Sequence, residues 1–200
     1  MAFEVICVEY GTFETRNAYI GIGDEKGMII DPGNRMGAQK ILDTLEERNL
    51  SIDLFDTIVL QSAHCSNTSG LMRLSEASMN ATIIVNSDLQ GTFESFKVKT
   101  INELDYEYTI DASLALSFIQ TPFLPFPDMF STYVNGEYLL FSSHLFSQIV
   151  TGESTKKALI DALSYYHETS MPSSDFLKPV IRDLSRLDIN AIYPLKGQSL

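Results

Sequence analysis

The sequence predicts an α/β fold in which a mixed or parallel sheet is covered by helices. Short β-rich runs alternate with segments of helical apolar spacing, in the order β-β-β-α-β-α-β through the first half, and the second half repeats this alternation. The chain has 200 residues, of which 44% are hydrophobic and 20% charged, so it can bury a sizeable core. No linker rich in Ser, Gly or Pro interrupts it, and we expect a single domain over residues 1–200.

The elements of the first half follow from apolar periodicity and from the turn residues between the periodic runs. The run at 3–10 has apolar residues in both alternating sets, which predicts a largely buried strand. A polar turn at 24–26 joins the next two runs into a hairpin, and Pro32 and Gly33 end the second of them. The prediction for this half is strands at 3–10, 17–23, 27–31, 57–61 and 81–86, a helix with Ala38, Ile41, Leu42 and Leu45 at helical spacing and Asn49 near its end, and a helix at 70–78.

The second half yields four strands and two helices by the same criteria. Asn135 and Gly136 between two β-rich runs predict a hairpin with a type I′ turn. The last helix is expected to begin at a Ser173 or Ser174 cap, and Pro179 should bend it or limit its first turn. The prediction is strands at 114–120, 132–134, 138–142 and 190–195 and helices at 156–170 and 173–187, the first helix with Leu159, Ile160, Leu163 and Tyr166 as its apolar positions.

The charge and composition of the chain exclude several classes of protein. It has 14 basic and 26 acidic residues, for a net charge of −12, so its surface repels phosphate backbones and we expect no nucleic-acid partner. No 18-residue apolar run is present, which predicts no membrane span. The N-terminus is acidic from Glu4 and lacks the basic region of a signal peptide, and the only cysteines are Cys7 and Cys65. These features are typical of a protein of the reducing cytoplasm.

Two stretches carry a resemblance to a known superfamily. "NAYIGIGDEKGMIIDPGN" (17–34) resembles the first hairpin of metallo-β-lactamase-like proteins, which ends in an Asp-x-Gly turn, here Asp31-Pro32-Gly33. "IDLFDTIVLQSAHCSNTSGL" (52–71) resembles the strand and loop that carry the His-x-[His/Glu]-x-Asp-His motif of that superfamily. The resemblance implies a four-layer αββα sandwich, with two facing sheets and helices on both outer sides.

The flavodiiron branch of this superfamily, whose diiron domains reduce oxygen or nitric oxide, gives the closer resemblance. "TPFLPFPDMFSTYVNGEYLLFSSHLFSQ" (121–148) resembles the stretch around its middle ligands, and "YYHETSMPSSDFLKPVIRDLSRLDINAIYPLKG" (165–197) resembles its closing helix and strand. Nearly the whole chain is covered in order. The flavodoxin-type domain of full flavodiiron proteins has no counterpart within the 200 residues.

The same resemblance implies that the ligands of the metal pair are replaced. The positions that correspond to family ligands are Ser62, His64, Ser66, Asn67, Pro125, His144 and Lys196, with Ser66 at an Asp position and His144 at the position of the bridging Asp. Two cations a few ångströms apart repel each other, and carboxylates must neutralise them while imidazoles complete each shell. Proline offers no side-chain donor and lysine adds a positive charge. We therefore expect no catalytic residues and no dinuclear iron or zinc centre.

Alternatives remain open for the histidines and for the loop after them. His64 and His144 are either hydrogen-bonded polar residues of a smaller cavity or ligands of a single iron or zinc ion, whereas Cys65 would point away from the other ligand positions. The residues 66–69 either cap the helix that follows or, with Lys196, hold an anion at its N-terminus. His167, at a helix end, is expected to be solvated or to have a capping role.

The resemblance supports two functional hypotheses. In the first, the chain is a catalytically silent flavodiiron-like domain with a sensory, regulatory or scaffold role, no expected cofactor, a homodimeric state and an output domain linked after Leu200. In the second, it is a mononuclear metal or gas-binding protein, or an oxidoreductase, that uses a rebuilt site at His64 and His144. The first predicts a protein that is not an enzyme, and the second predicts an iron or zinc ion.

Overall fold

The computed structural model describes residues 3–77, 80–87, 91, 93, 96–148 and 155–200, and the side chains of Cys65 and Ser66 lie outside that description. Its strands are β1 Glu4–Tyr10, β2 Arg16–Ile22, β3 Gly27–Ile30, β4 Phe55–Val59, β5 Thr82–Val85, β6 Lys97–Thr100, β7 Glu107–Asp111, β8 Leu114–Gln120, β9 Phe130–Asn135, β10 Leu139–Ser143 and β11 Ala191–Pro194. Its helices are α1 Arg35–Glu47, α2 Cys65–Thr68, α3 Leu71–Glu76, α4 Lys156–Ser170 and α5 Ser174–Leu184, with a short 3₁₀ turn at Ile52–Leu54.

The strands form two sheets that confirm the expected mixed topology. The first sheet has the order β1-β2-β3-β4-β5-β6, antiparallel from β1 to β3 and parallel from β3 to β6. The second has the order β11-β10-β9-β8-β7, with a parallel pair only between β10 and β11. The parallel pairs β3–β4, β4–β5 and β10–β11 are joined through helices, which are a usual form of crossover between parallel strands.

Three hydrophobic clusters hold these elements together as four layers. Between the sheets, Met28, Ile30 and Val59 of the first sheet pack with Phe118 and Phe141 of the second. Outside the first sheet, the apolar faces of α1 and α3 cover its other side. Outside the second sheet, α5 covers the strands. The arrangement is the αββα sandwich that the resemblance implied, and the fold class is confirmed.

The predicted strands and helices agree with the structure where their apolar pattern is strong. The hairpin of β2 and β3, helix α1 with its Asn34 cap, and helix α5 with its Ser173 cap are all confirmed. Two strands were not predicted, namely β6 and β7. Each is the edge strand of its sheet and has a largely polar sequence, so it lacks the apolar periodicity that marks an inner strand.

Several details of the prediction were wrong. Strand β1 is an edge strand with one buried face, and Cys7 on the other face is exposed. The hairpin of β9 and β10 is present, but its turn is not type I′, because Gly136 and Tyr138 have positive φ whereas Asn135 does not. Helix α5 contains Pro179 but ends at Leu184, three residues before the predicted end.

Helix α4 has the predicted bounds, yet of its expected apolar positions only Tyr166 is buried, and Ile160 is 50% exposed.

Among the described residues, no helix combines the length and the apolar character needed to cross a bilayer.

Candidate functional site

The sequence-predicted site residues lie where several strands end at one side of the sandwich. Ser62 and His64 follow β4, His144 follows β10, and Lys196 follows β11. The strand ends are joined by backbone hydrogen bonds, of which Leu195 N to Ser143 O (2.6 Å) ties β11 to β10. Side chains of the loop before β2, of the β8–β9 loop and of α4 lie against these strand ends. We call the resulting cluster the ligand pocket, and it consists of Glu14, Arg16, His64, Phe126, His144, Tyr166 and Lys196.

His144 is the most buried imidazole of the ligand pocket, with 4% of its surface exposed. Its Nδ1 lies 2.8 Å from the hydroxyl of Tyr166 on α4, whereas its Nε2 is buried and has no hydrogen-bond partner among the described residues. Burial, followed by the positive charges of Lys196 and Arg16 and then His64, lowers the pKa of His144 to about 3. The ring is therefore neutral at physiological pH.

His64 is half-buried, and its ring stacks on an aromatic ring. Its imidazole lies parallel to Phe126 at a centroid distance of 4.7 Å and nearly perpendicular to His144 at 6.2 Å. Burial first, and then Arg16 and Lys196, lower the pKa of His64, and Asp128 opposes them. The two imidazoles thus lie close together, and the positive charges of Arg16 and Lys196 act on both.

The two cations converge on one carboxylate. Lys196 is 9% exposed, and its Nζ lies 2.6 Å from Glu14 Oε1, while Arg16 Nη2 lies 2.9 Å from Glu14 Oε2. Lys196 Nζ also sits 5.5 Å from the centre of the Tyr166 ring, and Arg16 Nη1 is buried without a described partner. Burial by itself would raise the pKa of Glu14, but the hydrogen bond and charge of Lys196, together with Arg16, hold it below its usual value.

The backbone after β11 fixes where Lys196 points. Gln148 N donates to Lys196 O over 3.1 Å, and Lys196 N donates to Ser147 Oγ over 3.3 Å. Gly197 follows with φ +87°, and a Cβ there would lie 1.2 Å from Gln148 Oε1. The turn thus needs glycine at 197, and it holds the lysine in the pocket.

A buried polar network closes the floor of the pocket. Asp31, which is 2% exposed, accepts hydrogen bonds from Gln61 N (2.9 Å) and from Ser143 Oγ (3.2 Å). Asn67 Nδ2 donates to Ser143 Oγ over 3.3 Å, and Asn67 also stabilises the Asp31 carboxylate. Burial raises the pKa of Asp31 to about 7 despite these donors. Asp31 therefore serves to tie the loops after β3, β4 and β10 together.

These side chains do not fit the metal pair of the fold family. Among the described residues no group of three His, Cys, Asp or Glu side chains could hold a metal ion. Ser62 Oγ accepts a hydrogen bond from His64 N, Asn67 belongs to the floor network, and Pro125 has no donor atom. The Lys196 ammonium lies in the same pocket, where it would repel a bound cation. Among the described residues, these positions lack the carboxylate and imidazole set that two bridged ions need.

One expectation from the sequence was wrong, and another was right in part. The residues after His64 do not cap α3, because they form the short helix α2 themselves, and the cap of α3 is Gly70 without a side-chain hydrogen bond. His167 is half-buried rather than solvated, and its Nε2 accepts a hydrogen bond from Phe146 N over 3.3 Å. It therefore caps a loop, and burial lowers its pKa.

Four residues of the ligand pocket were missed by sequence reasoning: Glu14, Arg16, Phe126 and Tyr166. One signal could have found Glu14, because a lysine at a buried position of the fold requires a carboxylate partner. The other three depend on how loops and α4 fold over the strand ends, which local sequence patterns do not encode.

Comparison with known proteins identifies the relatives of this chain. A family profile described as "ODP family beta lactamase" matches residues 15–197. The chain is 26% identical over 200 residues to a nitric oxide reductase of Moorella thermoacetica, covering 92% of this chain and 49% of the relative. It also matches the anaerobic nitric oxide reductase flavorubredoxin of Klebsiella pneumoniae, 25% identical over 185 residues, covering 87% of this chain and 37% of the relative. The chain thus spans about half or less of the length of these relatives.

Solved structures agree in fold. The structure titled "Peroxy diiron species of chemotaxis sensor ODP" superimposes with a TM-score of 0.83 at 18% identity, covering 98% of this chain and 84% of that one. The flavodiiron protein of Giardia intestinalis superimposes with a TM-score of 0.81 at 22% identity, covering 98% of this chain and 53% of that one. At these identities the likeness establishes the architecture alone.

Proposed function

Since the chain belongs to the ODP family of β-lactamase-fold domains, we propose that this flavodiiron-like domain has a sensory, regulatory or scaffold role and carries no catalytic metal pair. The single observation that supports the proposal most is the partly buried ion pair of Lys196 with Glu14 beside His64 and His144. A family metal pair would need anionic side chains where this pocket has an ammonium group.

Electrostatics supports the absence of a metal pair. Two unit charges about 5 Å apart repel by about 3 kcal/mol at an effective dielectric constant of about 20, and a second ion adds its own repulsion. Glu14 is engaged by both Lys196 and Arg16, so it is not available as a compensating ligand. The family fold is kept while the chemistry that stabilises two cations is absent from the described side chains.

The sensory role is supported by the relative whose title describes a chemotaxis sensor. That sensor holds a peroxy diiron species. Under this proposal, our chain has no metal pair and would respond to a signal that does not act through two irons. The proposal includes the single domain over 1–200 and the cytoplasmic location that the composition predicted, and the homodimeric state and the output domain beyond Leu200 that the resemblance implied.

Metal content and turnover test this proposal directly. The protein is expressed with added iron, purified without chelators under anaerobic conditions, and its iron and zinc are measured per chain. Oxygen and nitric oxide consumption are then followed with an electron donor, with the chemotaxis sensor ODP prepared in parallel as the positive control for metal loading. We expect well under one ion per chain and no turnover, and two ions per chain with steady gas consumption would overturn the proposal.

One observation favours the second hypothesis, a single ion held by His64 and His144. The Nε2 of His144 has no described partner, and the ring separation of 6.2 Å is within reach of an ion about 2 Å from a nitrogen of each ring. Lys196 and Arg16 oppose such an ion through their charge. One iron or zinc per chain, lost in the double variant His64→Ala, His144→Ala, would establish it, whereas metal-free protein would exclude it.

A further inference from the structure

Two nitrogen atoms of the ligand pocket are buried without a partner among the described residues. One is Nη1 of Arg16, whose other terminal nitrogen binds Glu14, and the other is Nε2 of His144, a residue that is only 4% exposed. Buried polar atoms are almost always hydrogen-bonded, and an unpaired one is costly. Both atoms belong to side chains on which, or near which, the same positive charges act, so they are candidate donors to a bound group.

The charge of the pocket identifies the sign of that group. Arg16 and Lys196 contribute two positive charges and Glu14 one negative charge, which leaves a surplus of one. Both cations act on His144 and His64, so their field reaches the unpaired nitrogen. The carboxyl groups of Asp31 and Asp128 are occupied by hydrogen bonds from Gln61 N and Ala63 N on the floor.

We propose that the ligand pocket binds one small monovalent oxyanion, of the carboxylate or nitrate type, between Arg16, Lys196 and His144. Arg16 donates from Nη1, Lys196 from Nζ, and His144 from Nε2–H. The proposal rests on the proposed function, because the anion takes the place that a metal pair would need.

Tyr166 allows His144 to act as the donor. Its hydroxyl lies 2.8 Å from Nδ1 and can donate there, which leaves the ring proton on Nε2. A bound oxyanion therefore selects the Nε2–H tautomer. A divalent anion is disfavoured because its charge exceeds the single positive charge left by Arg16, Lys196 and Glu14, and because the negative charge of Asp128 also acts on this site at His64.

Direct binding is measured on the wild-type protein with formate, acetate and nitrate, and with sulfate as the divalent comparison. Titration calorimetry at low ionic strength, in a buffer with a bulky sulfonate anion, gives the affinity. Nitrogen-15 NMR of labelled histidine reports the protonation of His144 Nε2 in the same samples. We expect saturable 1:1 binding of at least one monovalent ion, sulfate at least fivefold weaker, and a shift of the Nε2 resonance. No binding, or binding without a change at His144, would overturn the proposal.

Two charge variants test the geometry in opposite directions. Glu14→Gln raises the surplus to two positive charges and should tighten monovalent anion binding at least fivefold, a gain that misfolding cannot produce. Arg16→Gln removes a donor and a charge and should weaken it at least tenfold. The matched controls are Glu4→Gln and Arg48→Gln, which alter an exposed ion pair by the same charges and should change the affinity less than twofold. Equal effects in the pocket and control variants would place the ion elsewhere.

The titrations and the metal analysis distinguish a failure of the anion site from a failure of the proposed silent domain. Metal-free, inactive protein that binds none of the tested ions would overturn the anion site and leave the silent-domain proposal standing. Protein with two bound metal ions would overturn the silent domain whatever the titrations show.

Discussion

The contact between Glu14 and Lys196 decides the charge of the ligand pocket at the level of single residues. The lysine side chain is 11% exposed and the glutamate side chain 39% exposed, so the pair is intermediate between a surface and a buried ion pair. The pKa of Glu14 lies below its usual value, because the hydrogen bond and charges of Lys196 and Arg16 outweigh burial. The contribution of the Glu14 carboxylate to the free energy of unfolding should therefore depend on pH.

Glu14→Gln should lower the free energy of unfolding by about 1 kcal/mol at pH 7, after allowance for solvent screening of a partly exposed group. A carboxyl whose pKa is lowered by folding stabilises the folded state above the unfolded pKa, near 4.3, and loses this effect as pH falls through the folded pKa. The difference between wild type and variant should therefore shrink below about pH 4. Urea unfolding at several pH values measures it.

The control for this prediction is Glu4→Gln. Glu4 pairs with Arg48 at the surface, where both side chains are about half exposed, and we expect its removal to cost less than about 0.5 kcal/mol. A loss for Glu14→Gln that is the same at pH 7 and pH 3 would contradict the electrostatic account.

At the scale of elements, Tyr166 is the one side chain of α4 that is classed as buried among the described residues. Tyr166→Phe keeps the ring but removes the hydroxyl beside His144 Nδ1, and it leaves a buried nitrogen without its partner. We expect a loss of about 1–2 kcal/mol in the free energy of unfolding and faster amide exchange along α4. Tyr165→Phe, one residue earlier and 70% exposed, should change neither quantity measurably.

Helix α5 contains a residue that weakens it. Pro179 is exposed and lies inside the helix, where it lacks the N–H that would bond to the preceding turn. Pro179→Ala should therefore raise the free energy of unfolding by about 1–3 kcal/mol without disturbing the buried side chains Val180 and Leu184. Chemical unfolding measures the change. Lys178→Ala, also exposed, is the control and should stay within about 0.5 kcal/mol of wild type. A destabilised Pro179→Ala protein would mean that the proline shapes how α5 packs.

At the scale of the whole molecule, the sequence predicted the fold better than the site. Inner strands such as β4 and β5 are almost wholly buried and rich in β-branched residues, so their position is determined locally, whereas the edge strands β6 and β7 are half-polar and were missed. The strand ends that carry His64, His144 and Lys196 could be placed through the resemblance. The partners Glu14 and Tyr166 could not, because they reach the pocket from elements distant in the chain.

The packing between the two sheets joins the halves of the chain, because the inter-sheet cluster takes Tyr19 and Met28 from the first sheet and Phe130 and Phe141 from the second. If residues 1–200 form one domain, this cluster makes their unfolding cooperative. We predict one urea transition that coincides when followed by far-ultraviolet and near-ultraviolet circular dichroism.

Phe141→Ala should shift this whole transition, since Phe141 is fully buried and its removal leaves a cavity that costs about 3–5 kcal/mol. Phe123→Ala, at a position 41% exposed, is the matched control and should leave the midpoint nearly unchanged. Native-state amide exchange separates the possible outcomes, because loss of protection in both sheets is expected only if the inter-sheet cluster couples them. Faster exchange confined to the second sheet, or two separate transitions, would mean that the halves fold independently and that the single-domain prediction is wrong.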